Sequence, residues 1–287
     1  MRLVFLGTPD AAVAPLRALV GAGHDVVLVV TRADKRRGRG TELSPSPVKA
    51  AALELGLPVT SEVDAVLGAG PDLGVVVAFG RIIKPHVLSG VPMVNLHFSL
   101  LPRWRGAAPV ERAILAGDAE TGVCVMEVEE GLDTGGVYAL ERTAIGAEET
   151  ADELRARLVS IGTTLLVDTL ARPGGLGIPA PQEGEPTYAA KVTVDDLLLD
   201  WTRPAAGLAR LPRVGKAWTT FRGRRLLVLS ARVAASGAAP GELDGTVVGT
   251  AEGGLELLSV QPEGKAAMAA PAWRNGAHPK PGERLGD

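Results

Sequence analysis

The opening of the chain places the strongest constraint on the fold. Arg2 to Leu6 is a continuous apolar run, Gly7-Thr8-Pro9-Asp10 breaks it, a helical stretch follows to about Ala22, and Val26 to Val30 is apolar again. Strand, turn, helix and strand at this spacing make a βαβ unit, and such units build parallel sheets. Thr8 or Asp10 stands where a side chain caps a helix start, with Gly21 and Gly23 at its end. The turn lacks the G-x-G-x-x-G spacing, so no dinucleotide site is expected there. Residues 73–79, 94–98, 123–128 and 137–143 are further apolar strand candidates. Thr150 to Leu170 carries Leu154, Leu158, Ile161, Leu165 and Leu166 at helical spacing and reads as a long amphipathic helix packed on a sheet.

The pattern changes after about residue 172. Residues 173–193 are rich in Pro and Gly without a period and read as an interdomain linker. From 194 to 287 short strand-like runs alternate with Gly-rich turns, which predicts a small OB-like β-barrel. The division is therefore a catalytic α/β domain over 1–172, a linker, and a β domain over 194–287. Charge divides the same way. The chain nets -3, yet 194–287 holds 12 basic and 10 acidic residues, and 201–232 has Arg203, Arg210, Arg213, Lys216, Arg222, Arg224, Arg225 and Arg232 with no acidic residue. A basic strip of this kind suits an elongated anion or simply solubilises a small domain. One cysteine, Cys124, excludes an internal disulfide and sits in an apolar strand as a packing residue. His24, His86, His97 and His278 have no metal-ligand spacing. No signal peptide and no apolar run of about 18 residues is present, so a cytoplasmic location is expected.

Two segments carry the polar residues that chemistry would use. In Val94-Asn95-Leu96-His97-Phe98-Ser99, strand alternation puts Asn95, His97 and Ser99 on one face, where the strand runs into the loop Leu100-Leu101-Pro102-Arg103-Trp104-Arg105-Gly106. Ligands of open α/β sheets bind at such strand ends. Glu130-Gly131-Leu132-Asp133-Thr134-Gly135-Gly136 is a Gly-bracketed turn with a carboxylate, following another apolar strand. A third segment, Thr31 to Pro47, is long and holds Arg32, Lys35, Arg36, Arg37 and Arg39 with no apolar period. It reads either as a solvated loop or as a basic finger for nucleic-acid phosphates.

Asn95-x-His97, Ser99-Leu100-Leu101-Pro102 and Gly131-Leu132-Asp133-Thr134-Gly135 together resemble the folate-dependent formyltransferase family. Gly7-Thr8-Pro9-Asp10, Asp34-Lys35, Gly38-Arg39-Gly40 and Pro45-Ser46-Pro47-Val48-Lys49 resemble its tRNA-modifying branch. The resemblance implies a Rossmann-like, mostly parallel catalytic domain, 10-formyltetrahydrofolate as co-substrate, and Asn95, His97 and Asp133 as the catalytic groups. Ser99, Leu100, Leu101 and Pro102, with Phe79 and Gly80 at another strand end, would line the folate site. Arg36, Arg37 and Arg39 would grip the acceptor end of an initiator methionyl-tRNA, and the basic strip with Arg213 and Lys216 would extend that contact. No metal and no membrane are implied, and a monomer is expected. The competing reading within the family is formyl transfer to a nucleotide-linked amino sugar. A purine-precursor enzyme would have no use for a second β domain, and a non-catalytic RNA-binding protein predicts loss of the three polar groups.

The chemistry explains the residue types. An amine attacking a formyl carbon makes an oxyanion, which needs fixed donors and an outlet for the amine proton. Asn95 supplies an amide donor, His97 an imidazole usable near neutral pH, and Asp133 a carboxylate to orient it or to take a proton.

Overall fold

The computed structural model describes residues 1–36 and 43–287, with backbone only at Arg36. The contacts separate into two units: one of residues 1–110, 120–144 and 155–190, the other of 111–119, 145–154 and 191–287.

In the first unit β1 (Arg2–Gly7) leads through a 3-10 turn at Asp10–Ala12 into α1 (Val13–Gly21) and then β2 (Asp25–Val30). The caps expected from Thr8 and Asp10 are not made. Pro9 is the cap residue and has no side-chain bond, while the Thr8 hydroxyl donates to the Phe79 carbonyl at 3.4 Å. A short antiparallel pair follows, β3 (Lys35–Arg36) with β4 (Leu43–Ser44), then α2 (Pro47–Glu54), β5 (Val59–Thr60), β6 (Leu73–Val77), α3 (Pro85–Gly90) and β7 (Met93–His97). Beyond the short β8 (Arg105–Gly106) and α4 (Pro109–Ala116), which from Glu111 on belongs to the second unit, come the long hairpin strands β9 (Glu120–Glu127) and β10 (Val137–Ala144), α5 (Ala151–Leu170), whose first four residues also belong to the second unit, and β11 (Tyr188–Ala189).

Seven strands form one sheet in the order β10-β9-β7-β6-β1-β2-β5. Pairings from β5 to β7 are parallel, and β9 and β10 join antiparallel. This is the mostly parallel, Rossmann-like arrangement expected. Its central strands are apolar on both faces because both are covered. Leu3, Val4, Phe5 and Leu6 are all fully buried. Helix α5 lies over β7 through Gly162, where an added Cβ would stand 3.1 Å from the Leu96 side chain. Among the described residues, no helix is long and apolar enough to cross a membrane.

The second unit holds short helices α6 (Ala205–Leu208) and α7 (Leu211–Val214), then β12 (Ala217–Phe221), β13 (Arg224–Ala234), β14 (Leu243–Asp244), β15 (Val247–Gly249), β16 (Gly254–Pro262) and β17 (Met268–Ala269). They form an antiparallel sheet in the order β12-β13-β16-β15-β14, with β17 also on β16. Among the described residues the two end strands do not pair, so the expected barrel is here an open sheet. Hairpin spacing fixes which neighbours pair, whereas closure depends on tilt and stagger around the whole sheet. The core gathers Leu199, Trp201, Leu226, Val228, Leu257 and Trp273. Trp273 comes from α8 (Ala270–Ala277), which the sequence pattern did not reveal, and meets Phe221 edge-to-face at 5.3 Å between centroids.

Arg222 ties the end of this unit to the β12–β13 turn. Its guanidinium donates to both Glu283 oxygens, at 2.5 and 2.8 Å, and to the Ala277 carbonyl at 3.2 Å. The Arg222 bonds, and then the Lys280 N–H, pull the Glu283 carboxyl from 4.5 down to about 2. A carboxyl lowered in the folded state contributes stability above its unfolded value that is lost as pH falls toward its folded one. Stability measured by urea unfolding is therefore expected to fall between about pH 4.5 and 2 by more in the wild type than in Glu283→Gln. Parallel curves would show the pair to be without effect.

Candidate active site

The site is built where β7 ends, inside the first unit. Strand alternation carries Asn95 and His97 to the same face, as expected, and β9 runs antiparallel alongside with Met126 opposite Asn95 and Cys124 opposite His97. Asn95 is half-buried, and His97 is 5% exposed. The β9–β10 hairpin then returns Asp133 to this strand end. Its Oδ2 stands 3.7 Å from His97 Nδ1 and accepts the Gly106 N–H at 2.7 Å. On the other side of the ring, His97 Nε2 lies 3.0 Å from the Trp104 carbonyl, which makes Nε2 the protonated nitrogen. The imidazole is thus held between a backbone acceptor and a carboxylate.

The Ser99–Gly106 loop wraps this pair. Ser99 is fully buried and its hydroxyl donates to the Arg103 carbonyl at 2.6 Å, so it closes the loop. Leu100 lies over Gly122 of β9, where an added Cβ would come within 2.5 Å of the Leu100 side chain and 2.2 Å of the Glu141 carbonyl. Only glycine fits there. The Leu101–Pro102 peptide is cis. Trp104 has a left-handed backbone, φ 64, with its N–H on the Thr187 hydroxyl at 2.9 Å and the Arg103 guanidinium 4.5 Å from its ring. Gly106, φ 122, faces the Ala189 carbonyl, 2.9 Å from where a Cβ would be, because β11 pairs with β8 at that point. Close by in the sheet, β6 ends at Ala78 (φ 47), buried Phe79 and Gly80 (φ 71).

The Asp133 turn is equally constrained. Asp133 is left-handed, φ 51, a conformation that Asp tolerates better than most side chains. At Gly135 a Cβ would strike the Glu127 carbonyl at 2.2 Å. Cys124, on the neighbouring strand, is pushed up to about 12, chiefly by burial, and gives its S–H to the Ser99 carbonyl. It is a packing residue, as its apolar surroundings in the sequence indicated.

The basic segments are less uniform. Arg37 and Arg39 lie outside the described residues, as does the side chain of Arg36. The ends of that segment are pinned: Lys49 pairs with Asp34 at 2.7 Å, the Thr31 and Ser46 hydroxyls share a buried bond of 2.8 Å, and Ser46 caps α2 through the Lys49 N–H. In the second unit Lys216 is exposed, but Arg213 is half-buried and donates to the Glu149 and Gly146 carbonyls at 2.9 and 3.0 Å. Arg225 stacks on Trp218, 4.2 Å from its ring centre, an aromatic-cation pair that charge counting alone did not single out.

The family model for formyl transferase matches residues 1–170, and that for the formyl transferase C-terminal domain matches 191–278. The chain belongs to the formyl transferase family. It is 46% identical to the methionyl-tRNA formyltransferase of Methylobacterium sp. (strain 4-46) and 45% identical to that of Jannaschia sp. (strain CCS1), across 99% of this chain and 99% and 100% of theirs. Its fold is similar to that of a Helicobacter canadensis N-formyltransferase solved with folinic acid and dTDP-3-aminofucose, with a TM-score of 0.69 at 17% identity over 91% of this chain and 98% of that one.

Proposed function

We propose that the chain transfers the formyl group of 10-formyltetrahydrofolate to the amino group of methionyl initiator tRNA, for translation initiation. The observation that carries this is the end-to-end similarity to methionyl-tRNA formyltransferases at 46% identity. It is tested by offering the purified chain 10-formyltetrahydrofolate together with charged initiator methionyl-tRNA and a nucleotide-linked amino sugar. Formylation of the tRNA alone is expected; formylation of the sugar alone sinks the reading.

In this reading Asn95 donates its amide to the formyl oxygen as negative charge gathers on it. When substrate enters, His97 turns to the same oxygen the N–H that it otherwise places on the Trp104 carbonyl. Asp133, 3.7 Å from the ring, takes the proton lost by the amine, directly or through water, and as the intermediate collapses the bond from the formyl carbon to the folate nitrogen breaks and that nitrogen leaves with the proton as tetrahydrofolate. Leu100, Leu101, Pro102, Phe79 and Gly80 line the folate site, with Ser99 setting their loop. The donor fits because Leu100, Leu101 and Pro102 set apolar side chains beside the strand end that carries Asn95 and His97. The second unit is an OB-like tRNA-binding domain, and the enzyme works as a cytoplasmic monomer.

Arg36, Arg37 and Arg39, with Lys216 and Arg213, hold the tRNA backbone. Neutralising the first three is expected to weaken tRNA binding and to reduce the slope of log affinity against log salt by roughly 0.7–0.9 for each phosphate that no longer meets a cation. Filter-binding titrations across salt check this, and an unchanged slope would assign the segment to solvent.

A further inference from the structure

The Pro- and Gly-rich stretch that reads as a linker contains a side chain aimed at the active site. Ala180 makes paired backbone bonds with Val137 of β10, at 2.8 and 2.9 Å, and β11 pairs with β8. Between these anchors Gln182 is half-buried and uses its whole carboxamide. The Nε2 group donates to the Asp133 and Gly135 carbonyls, both at 2.8 Å. The Oε1 atom accepts from Arg105 Nε and Nη2 at 3.1 and 2.6 Å. One amide therefore bridges the turn that carries Asp133 and the residue next to Gly106, whose N–H holds the Asp133 carboxylate.

We infer that Gln182 is a positioning residue: its two N–H donors fix the left-handed turn at Asp133 so that the carboxylate stays on the Gly106 N–H and faces His97. A non-glycine left-handed residue persists only where its surroundings over-determine it. Here the side chain of Asp133 is held from Gly106 and its backbone from Gln182. Losing the second hold frees the turn to relax, and small displacements of a catalytic group cost rate much more than they cost binding.

Gln182→Glu separates this role from mere tethering of the strap. Glutamate keeps the acceptor for Arg105, now as an ion pair, and loses both donors to the turn. The assignment rests on the formyl-transfer reading for its kinetic arm, so a second arm needs no substrate. Hydrogen exchange of the Gly106 amide is expected to quicken at least 10-fold in Gln182→Glu, while the Glu141 amide, which faces Val123 in the β9–β10 ladder, exchanges as in the wild type. With 10-formyltetrahydrofolate and methionyl-tRNA, kcat is expected to fall on the order of 10-fold or more, with both KM values within about twofold of wild type. Unchanged exchange at Gly106 overturns the proposal whatever the rate. Faster exchange with wild-type kcat also overturns it, because turnover would then not need the clamp. If Gln182→Glu loses protection at Glu141 as well, Gln182→Met, which matches the length without any donor, is read by the same criteria. A wild-type protein inactive on methionyl-tRNA would fail the functional reading while leaving the exchange result to stand.

Discussion

His97→Ala is expected to lower kcat for formyl transfer by about 100-fold or more, with the KM for 10-formyltetrahydrofolate little changed. Removing a single preordered donor from an oxyanion site has that order of effect, and His97 is held in place before any substrate arrives, between the Trp104 carbonyl at 3.0 Å and Asp133 at 3.7 Å. Part of the effect will be structural. The side chain is 5% exposed, so alanine leaves a cavity and loses the bond to the Trp104 carbonyl. Loss of one intramolecular hydrogen bond costs about 0.5–1.5 kcal/mol. His97→Gln separates the two contributions, because its amide reaches toward the same carbonyl but carries no charge at any pH. Stability should recover in His97→Gln and turnover should not. Wild-type turnover in either variant removes His97 from the mechanism.

Asp133→Asn should be nearly as damaging, again by about 100-fold or more in kcat, since it removes the charge that faces the imidazole. The substitution is conservative for the fold. Asparagine accepts the left-handed backbone that φ 51 requires, and its oxygen can still accept the Gly106 N–H. Thermal unfolding of Asp133→Asn should therefore stay close to wild type. Asp133→Ala loses the Gly106 bond as well and should be less stable by about 1–2 kcal/mol. If Asp133→Asn turned over within threefold of wild type, the carboxylate would have no role beyond holding Gly106, and proton removal would have to be assigned elsewhere.

Much of this arrangement was legible in the residues. The strands β1, β2, β6, β7 and β9 announced themselves as apolar runs, because strands covered on both faces need apolar residues throughout. Asn95 and His97 were legible as neighbours because strand alternation is a local rule. Asp133 was recognisable as a carboxylate in a glycine turn, but its distance from His97 was not, since that depends on β9 joining β7 antiparallel. Gln182 was hidden by composition: Pro and Gly signal the lack of a helix or long strand, and that is compatible with either a free linker or a pinned strap. Helix α8 went unseen because Ala-Pro-Ala-Trp-Arg-Asn-Gly-Ala has weak helical preference, and burial of Trp273 stabilises it.

By itself the chain determined which segments become strands, that the first unit is a mostly parallel sheet, and that Asn95 and His97 share one face at a strand end. These follow from side-chain period, turn residues and functional groups, all readable within a few positions. Tertiary structure alone decided that Asp133 meets His97, that Ser99 closes its loop, that Arg213 is engaged by the Glu149 and Gly146 carbonyls, and that the second sheet is open among the described residues. Most of these depend on partners tens of residues apart, and their meeting is set by packing and strand register, which no local pattern encodes.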